Sequence, residues 1–309
     1  MDTHAEGDFR SGLVAVIGPP NAGKSTLTNC FVGQKISIVT DKPQTTRNRI
    51  SGILSRDRDQ IVFLDTPGIH HSSRSMNQYF VETAWRTLAG VDVILLVLDA
   101  FRYVNRPGLF GAETEIIAER IRSFAKPLVL GLNKVDRVAE KKLLLPLFDR
   151  VHGQWPEAEL LPVSALTGEG TAELLERLRS LLPAGPPLYP EDQLSTLPMR
   201  FFATEIIREK LFQVLRQELP YSVAVEAEYW NEEPERNLVL MGCVIYVERK
   251  NHKGIVIGKN GSRLRQVGSE ARLELEGLLE QQVHLQLWVK VKPGWSEDRR
   301  FLANLEPEA

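Results

Sequence analysis

The sequence has little cysteine and no long apolar run. Its two cysteines, Cys30 and Cys243, stand among apolar neighbours, which favours buried free thiols in a reducing cytoplasm over a disulfide between domains. No run reaches the roughly 18 apolar residues that a membrane span needs, so we expect no transmembrane segment. The polar, acidic N-terminus is unlike a signal peptide.

An excess of either charge is also missing. The 38 Lys and Arg residues nearly balance the 40 Asp and Glu residues, for a net charge of −2, so the global charge favours no class of partner. Apolar residues make up 43% and charged residues 25% of the 309 residues, which is typical of a globular protein. The length suits two domains of ordinary size.

The run from Gly18 to Ser25 matches G-x-x-x-x-G-K-[ST], the phosphate-binding loop. A strand-like run precedes it and a helical segment follows it, so loop N–H groups and a helix N-terminus would meet at one anion site. We expect Lys24 to reach the β- and γ-phosphates and Ser25 to ligate Mg²⁺. A chance Gly/Pro turn is the alternative. The expected nucleotide-binding residues here are Gly18, Pro19, Pro20, Asn21, Ala22, Gly23, Lys24, Ser25 and Thr26.

Strand-like and helix-like segments alternate over residues 12–182, which predicts an α/β domain: a mostly parallel sheet with helices on both faces. Residues 1–11 are an N-terminal tail. The proline-rich residues 183–199 cannot continue a helix and are predicted to be a linker. A smaller α+β domain follows at residues 200–309. The predicted strands of the first domain are 13–17, 51–56, 60–64, 92–98, 127–132 and 159–163, and its helices 24–32, 77–89, 111–124, 138–150 and 169–182.

Two further segments complete the expected phosphate end of the site. Asp65-Thr66-Pro67-Gly68 ends a strand, where Asp65 would hold Mg²⁺ through water and the Gly68 amide would sense the γ-phosphate. In the polar segment from Asp41 to Arg47, a threonine could join the Mg²⁺ shell only when a γ-phosphate is bound, which makes this segment a switch. Thr46 is the preferred ligand and Thr45 the alternative.

Hydrolysis is expected to be slow. Ile69 follows Gly68 where Ras-like GTPases carry a water-orienting Gln, and it cannot orient water. The residues expected to act directly on the phosphates are Lys24, Thr46 and Gly68. The segment His70–Asn77 is a second switch candidate.

The base that the nucleotide site accepts is predicted from the run Asn133-Lys134-Val135-Asp136. The Asp136 carboxylate can accept both the N1–H and the 2-amino group of guanine, donors that adenine lacks on that edge, and mismatches of this kind discriminate by about 10⁴–10⁵. Asn133 would tether the loop, and the stem of Lys134 would pack on the base. A backbone N–H from Ser164-Ala165-Leu166 would reach guanine O6. GTP and GDP are therefore the expected ligands.

The second domain carries Gly258-Lys259-Asn260-Gly261, a G-x-x-G between two helical segments, in the order helix–strand–strand–helix–loop–helix–strand. This arrangement is typical of the KH domain, whose loop clamps a nucleic-acid backbone. A helix-capping turn is the alternative. No acidic residue lies between Arg249 and Gly268, so one basic face is predicted. The expected RNA-binding residues are Arg249, Lys250, Lys253, Gly258, Lys259, Asn260, Gly261, Arg263 and Arg265.

Across nearly its whole length the chain resembles the Era family of bacterial ribosome-biogenesis GTPases, on Lys42-Pro43-Gln44-Thr45-Thr46-Arg47 and Ile257–Gly261. The resemblance implies a monomeric cytoplasmic GTPase that binds near the 3′ end of 16S ribosomal RNA, acts in small-subunit maturation and associates peripherally with the inner membrane. Two departures are Pro19, where an Arg is usual, and the few basic residues after Ile69, which weaken the membrane expectation. Similarity to potassium-stimulated GTPases gives Asn21 a role in binding K⁺; the alternative is that it only shapes the turn.

Two other classes of protein compete with this interpretation. A metabolic P-loop kinase or ATPase with an unrelated second domain would conflict with the guanine motif Asn133–Asp136. A pure RNA-binding module with an inactive first domain would conflict with the intact Lys24, Ser25, Asp65 and Asp136.

Overall fold

The structure is a computed structural model that describes residues 9–42, 45–70, 75–217 and 219–305. Sequence predictions for the N-terminal tail up to residue 8, for Pro43 and Gln44, for residues 71–74 of the second switch candidate and for Glu218 of the second domain lie outside the described residues. No helix within the described ranges is long and apolar enough to cross a membrane.

The chain divides into two compact units. The predicted boundaries at 182 and 199 stay predictions, but the contacts divide the chain less simply than those boundaries do. The described part of the proline-rich segment up to Thr196 belongs to unit 1, and the described part of Ile38–Thr45 belongs to unit 2. Unit 1 comprises Met1–Ser37, Thr46–Ser73 and Phe80–Thr196, and unit 2 comprises Ile38–Thr45, Arg74–Tyr79 and Leu197–Ala309, each within its described residues.

Unit 1 contains a six-stranded sheet in the order β2-β3-β1-β4-β5-β6. The edge strand β2 is antiparallel to β3, and the other pairs are parallel. The central strand β4 is buried along its whole length, as its continuous apolar sequence predicts. The strands are β1 Arg10–Ile17, β2 Ile50–Arg56, β3 Asp59–Asp65, β4 Val93–Asp99, β5 Leu128–Asn133 and β6 Glu159–Pro162.

The helices of this part of the chain match most of the predicted segments. The predicted helix 138–150 is instead a 3₁₀ turn, Lys141–Leu144, followed by a helix from Leu145, because Pro146 favours the first turn of a helix. The short α3 has no counterpart among the predictions, since six residues are too few to show helical periodicity. The helices are α1 Lys24–Val32, α2 Ser75–Thr87, α3 Ala100–Asn105, α4 Leu109–Ile121, α5 Leu145–Gln154 and α6 Thr171–Leu181.

The proline-rich segment is extended and held on unit 1. The Ile53 amide donates to the Leu194 carbonyl at 2.8 Å, and Gln60 accepts from the amides of Leu188 and Tyr189 at 2.7 and 2.9 Å. Its prolines exclude a helix, as expected, and its backbone polar groups find partners on β2 and β3 instead.

Unit 2 contains a three-stranded sheet in the order β7-β8-β9, with β7 antiparallel to β8 and β8 parallel to β9. Helices α7 and α9 pack together and cover one face, with a core that includes Ile206, Phe212, Met241 and Ile245. The short α10 has no counterpart among the predictions. The elements are α7 Met199–Val214, β7 Val223–Glu233, β8 Leu238–Val247, α8 Lys250–Ile257, α9 Ser262–Leu279, β9 Gln282–Val291 and α10 Arg299–Asn304.

Both cysteines are free thiols. Cys243 is buried on β8, and burial raises the pKa of its thiol to about 12. Cys30 on α1 is only partly buried, so the expectation of two buried thiols holds for Cys243 alone.

Candidate nucleotide and nucleic-acid sites

The loop between β1 and α1 depends on its glycines. Gly18 has a φ of 146°, and a Cβ there would lie 2.2 Å from the Val97 carbonyl oxygen. Gly23 caps α1 in a left-handed conformation with no side-chain cap, and a Cβ there would lie 2.3 Å from Asn133 Nδ2. The first N–H groups of α1 therefore lack a side-chain acceptor and are suited to bind a phosphate.

Lys24 is a buried cation at the start of α1, 6% exposed. Its ammonium group donates to the carbonyl oxygens of Gly18 and Pro19 at 3.2 and 3.1 Å. Burial lowers the pKa of Lys24 to about 8, opposed by the Asp65 carboxylate and aided by the charge of Lys134. An anionic phosphate in the loop would raise the pKa of Lys24 again and so favour its charged form.

Three oxygen-bearing side chains meet where Mg²⁺ is expected. Ser25 Oγ donates to Asp65 Oδ2 at 2.6 Å and lies 2.8 Å from Thr46 Oγ1. Burial raises the pKa of Asp65, although Lys24 opposes the shift, and Asp65 Oδ1 is buried without a hydrogen-bond partner among the described residues. Mg²⁺ prefers oxygen ligands and would satisfy this carboxylate, so the residues fit the ion.

The structure separates the two candidate switch threonines. Thr46 faces Ser25, as described above. Thr45 Oγ1 instead lies 2.6 Å from Thr40 Oγ1 and donates to the Lys42 carbonyl at 2.8 Å. This geometry favours Thr46 as the ligand.

The segment after β3 lies against the phosphate loop. A Cβ on Gly68 would lie 2.8 Å from Pro20 Cα, and the Ile69 amide donates to the Gly18 carbonyl at 3.0 Å. The side chain of Ile69 is 1% exposed and belongs to the core. Thr66 Oγ1 donates to the Val16 carbonyl at 2.9 Å and ties the end of β3 to β1.

The expected base site forms around Asn133. Its amide Nδ2 donates to the Ala22 carbonyl at 2.9 Å and thereby tethers the base loop to the phosphate loop. Asp136 is exposed and accepts from Ser164 Oγ at 2.6 Å. Its carboxylate is thus oriented by the neighbouring loop and open to a ligand.

One detail differs from the expected base contacts. The Ala165 amide donates to Asn133 Oδ1 at 2.9 Å, so this N–H is engaged within the protein. A contact from residues 164–166 to guanine O6 stays a prediction. Asp99, the last residue of β4, also lies at this edge of the sheet but matches none of the sequence motifs. It could have been found from the rule that ligands bind at the carboxyl ends of parallel strands.

In unit 2, helix α7 holds the described part of Ile38–Thr45 with buried charges. Arg208, 3% exposed, pairs with Glu205 at 2.8 Å and also donates to the Thr45 carbonyl. The carboxylate of Glu209 accepts from the Val39 amide at 2.9 Å. Lys42 donates to the Leu215 carbonyl at 2.8 Å, beyond the end of α7.

The G-x-x-G loop of unit 2 also needs its glycines. Gly258 has a φ of 75°, and a Cβ there would lie 2.8 Å from Arg263 Cβ. Gly261 has a φ of 74°. Lys259 and Asn260, at the tip between them, are exposed. Helix α8 packs against β9 beside this loop.

The basic residues around this loop fall into two groups. Arg249, Lys250 and Lys253 are exposed. Arg263 donates to the Ile255 carbonyl, and Arg265 donates to the Asn260 carbonyl at 2.7 Å. Arg265 thus braces the loop and Arg263 braces the end of α8 before it, whereas the sequence analysis expects both to contact phosphates directly.

A phosphate loop, a magnesium-compatible cluster and a guanine motif at the carboxyl ends of one sheet define a P-loop GTPase, joined here to a unit with KH topology. Family models agree with this class. Residues 13–134 match a family described as "50S ribosome-binding GTPase", and residues 218–296 match the KH domain.

Similar proteins narrow the class to one family. The chain is 51% identical to "GTPase Era" of Nitratidesulfovibrio vulgaris over 96% of this chain and 97% of that protein, and 45% identical to "GTPase Era" of Geobacter metallireducens over 97% and 99%. The chain belongs to the Era family of GTPases.

Two solved structures share the whole fold. A single-residue variant of Aquifex aeolicus Era bound to GDP·AlF₄⁻ has a TM-score of 0.90 at 40% identity, over 96% of this chain and 99% of that one. An Era complex with MgGDPNP and nucleotides 1506–1542 of 16S ribosomal RNA has the same TM-score and identity, over 96% and 98%. The kinase and inactive-domain alternatives are excluded by this membership.

Proposed function

We propose that this GTPase binds the 3′-terminal region of 16S ribosomal RNA through unit 2 and acts in assembly of the small ribosomal subunit. The observation that carries the proposal is the exposed, basic G-x-x-G loop, Gly258–Gly261, with its tip residues Lys259 and Asn260 free to meet a phosphate backbone. The Era complex with nucleotides 1506–1542 supports this choice of RNA. A cytoplasmic site of action follows from the ribosomal partner, and weak membrane association stays a prediction.

For nucleotide binding and hydrolysis, we assign roles to residues of unit 1. Lys24 places its charge on the β- and γ-phosphates, and Asp136 selects guanine. Ser25, Thr46 and Asp65 would hold Mg²⁺, which when bound stabilises the charge that develops on the phosphate oxygens. Ile69 is buried and cannot orient water, so hydrolysis is slow unless another group positions the attacking water.

The switch segment gives the two ends a physical link along the chain. Thr46 lies beside Ser25, whereas the preceding Thr45 is held by Arg208 of α7. We infer that Thr46, when it binds at a γ-phosphate, pulls on the residues before it. The described part of this segment, Ile38–Thr45, is bound to α7. RNA affinity is therefore expected to differ between the GTP-bound and GDP-bound proteins.

Charge reversal at the loop tip tests the RNA assignment. Lys259→Asp combined with Asn260→Asp puts two carboxylates where the backbone phosphates would pass. We expect the affinity of the full chain for a 3′-terminal 16S RNA fragment, measured by fluorescence anisotropy, to fall at least about 30-fold. GDP affinity should not change.

A matched control shows whether a loss of RNA affinity comes from the loop itself or from the change in net charge. Arg299→Asp combined with Arg300→Asp changes two exposed residues of the same unit and alters the net charge more. RNA affinity should then fall less than about threefold. Equal losses in both double variants, or none at the loop in a folded protein, would contradict a site at Gly258–Gly261.

A further inference from the structure

Asp99 ends β4 directly beside the base motif. The register of β4 and β5 pairs Asp99 with Asn133, so the next residue, Lys134, rises beside the Asp99 carboxylate. The Lys134 ammonium group donates to Asp99 Oδ2 at 2.7 Å and also to the Asn21 carbonyl. Lys134 itself has a left-handed backbone, with a φ of 66°.

The two oxygens of Asp99 are used for two purposes. Oδ1 accepts from the Arg102 amide at 2.8 Å and caps α3. Oδ2 faces Lys134, and 11% of the Asp99 side chain is exposed, against 22% for Lys134. One rigidly capped carboxylate thus fixes the position of a flexible side chain at the edge of the nucleotide loop.

We propose that Asp99 is a positioning residue for guanine binding, which acts by holding Lys134 so that its four-carbon stem lies flat under the base. A lysine stem has considerable rotamer entropy, and an anchored ammonium group removes much of that freedom before the ligand arrives. The anchor also directs the ammonium group onto the phosphate loop at Asn21, so base loop and phosphate loop keep one spacing. This inference rests on the proposed assignment of Lys134 to the base.

Asp99→Asn isolates the proposed role from the helix cap. Asn caps helices as well as Asp, so its oxygen can keep the Arg102 amide, while its NH₂ group then meets the Lys134 ammonium group, donor against donor. The dissociation rate of fluorescent mant-GDP should rise about five- to tenfold, as expected for a partly exposed charged hydrogen bond. Binding of inorganic triphosphate, which has no base, should stay within about twofold.

A double-variant cycle with Lys134→Met distinguishes positioning from a structural role. In the Lys134→Met background, Asp99→Asn should add less than about twofold to the mant-GDP dissociation rate, because the group that it positions is gone. Asp92→Asn is the matched control. Asp92 lies immediately before the start of β4 and accepts from the Leu13 amide at 2.8 Å, so this change should leave mant-GDP dissociation unaltered.

The outcomes of these experiments separate the assignment of Lys134 to the base from the positioning role of Asp99. If Lys134→Met itself leaves GDP binding intact, the anchored ammonium group contributes nothing to guanine binding and the inference fails. If Lys134→Ala, which also removes the stem, leaves GDP binding intact as well, the assignment of Lys134 to the base is wrong too. If Lys134→Met weakens GDP binding, three results would show that only the role of Asp99 is wrong. Asp99→Asn would leave mant-GDP dissociation unchanged, would raise its rate equally with and without Lys134→Met, or would weaken triphosphate binding as much as GDP binding.

Discussion

Nucleotide affinity should fall as the pH rises through about 8, because Lys24 loses its proton there. In the free protein, burial lowers the pKa of Lys24 to about 8 from an ordinary value of 10.5. Bound phosphates raise that pKa again, so above pH 8 the complex holds more protons than the free protein. Binding then takes up a proton, and affinity declines as the pH rises.

The size of the effect follows from the same pKa. With a free-state pKa of about 8, the charged fraction of Lys24 falls from about nine-tenths at pH 7 to about one-tenth at pH 9. The GDP dissociation constant should therefore rise about tenfold over this range, which isothermal titration calorimetry in several buffers measures together with the proton uptake. Folding of the free protein has the opposite sign: its stability rises between pH 8 and 10.5, since the unfolded lysine binds the extra proton.

Lys24→Arg supplies the control for this prediction. A guanidinium group stays charged throughout the range, so this variant should bind GDP more weakly but with little dependence on pH from 7 to 9. Any titration of the guanine ring appears in both profiles and cancels. A native profile that is flat, or that parallels the Arg variant, would refute the account of Lys24.

Three further predictions concern base choice, the monovalent cation and stability. Asp136→Asn should shift preference from guanine toward xanthine nucleotides, because an amide can donate to the xanthine 2-carbonyl; competition against mant-GDP measures it, and unchanged preference would contradict the base assignment. If Asn21 helps to bind K⁺, NaCl in place of KCl should slow GTP turnover in the native protein but hardly in Asn21→Ala. Equal native rates in both salts would mean that Asn21 only shapes the turn. Arg208→Ala should destabilise unit 2 by about 3–5 kcal/mol, because it strands the buried Glu205 carboxylate, whereas Arg208→Leu with Glu205→Leu should cost far less in urea unfolding followed by tryptophan fluorescence.

The sequence predicts the strand ends and therefore most of the nucleotide site. Periodicity places β1, β3 and β5, and on a parallel sheet the motifs that follow such strands must share one edge. Lys24, Asp65 and Asn133 come together for that reason. The same rule would have placed Asp99 there, but a single Asp at a strand end matches no multi-residue pattern.

Other features depend on tertiary partners that a local pattern does not contain. Arg208 and Glu205 are spaced as an ordinary surface pair, i and i+3 on one helix, yet both are buried, and Arg208 also donates to the Thr45 carbonyl. Likewise Arg263 and Arg265 each donate to a backbone carbonyl, Arg263 to Ile255 in α8 and Arg265 to Asn260 in the loop. Composition alone cannot separate a bracing arginine from one that binds phosphate.

Crosslinking of the full chain to total bacterial RNA, followed by sequencing of the crosslinked fragments, tests the central claim most directly. We predict that fragments from the 3′ end of 16S ribosomal RNA dominate, that a non-hydrolysable GTP analogue and GDP give different yields of them, and that Lys259→Asp with Asn260→Asp removes them. Fragments scattered over the transcriptome, or a 16S signal that the loop variant leaves unchanged, would contradict it.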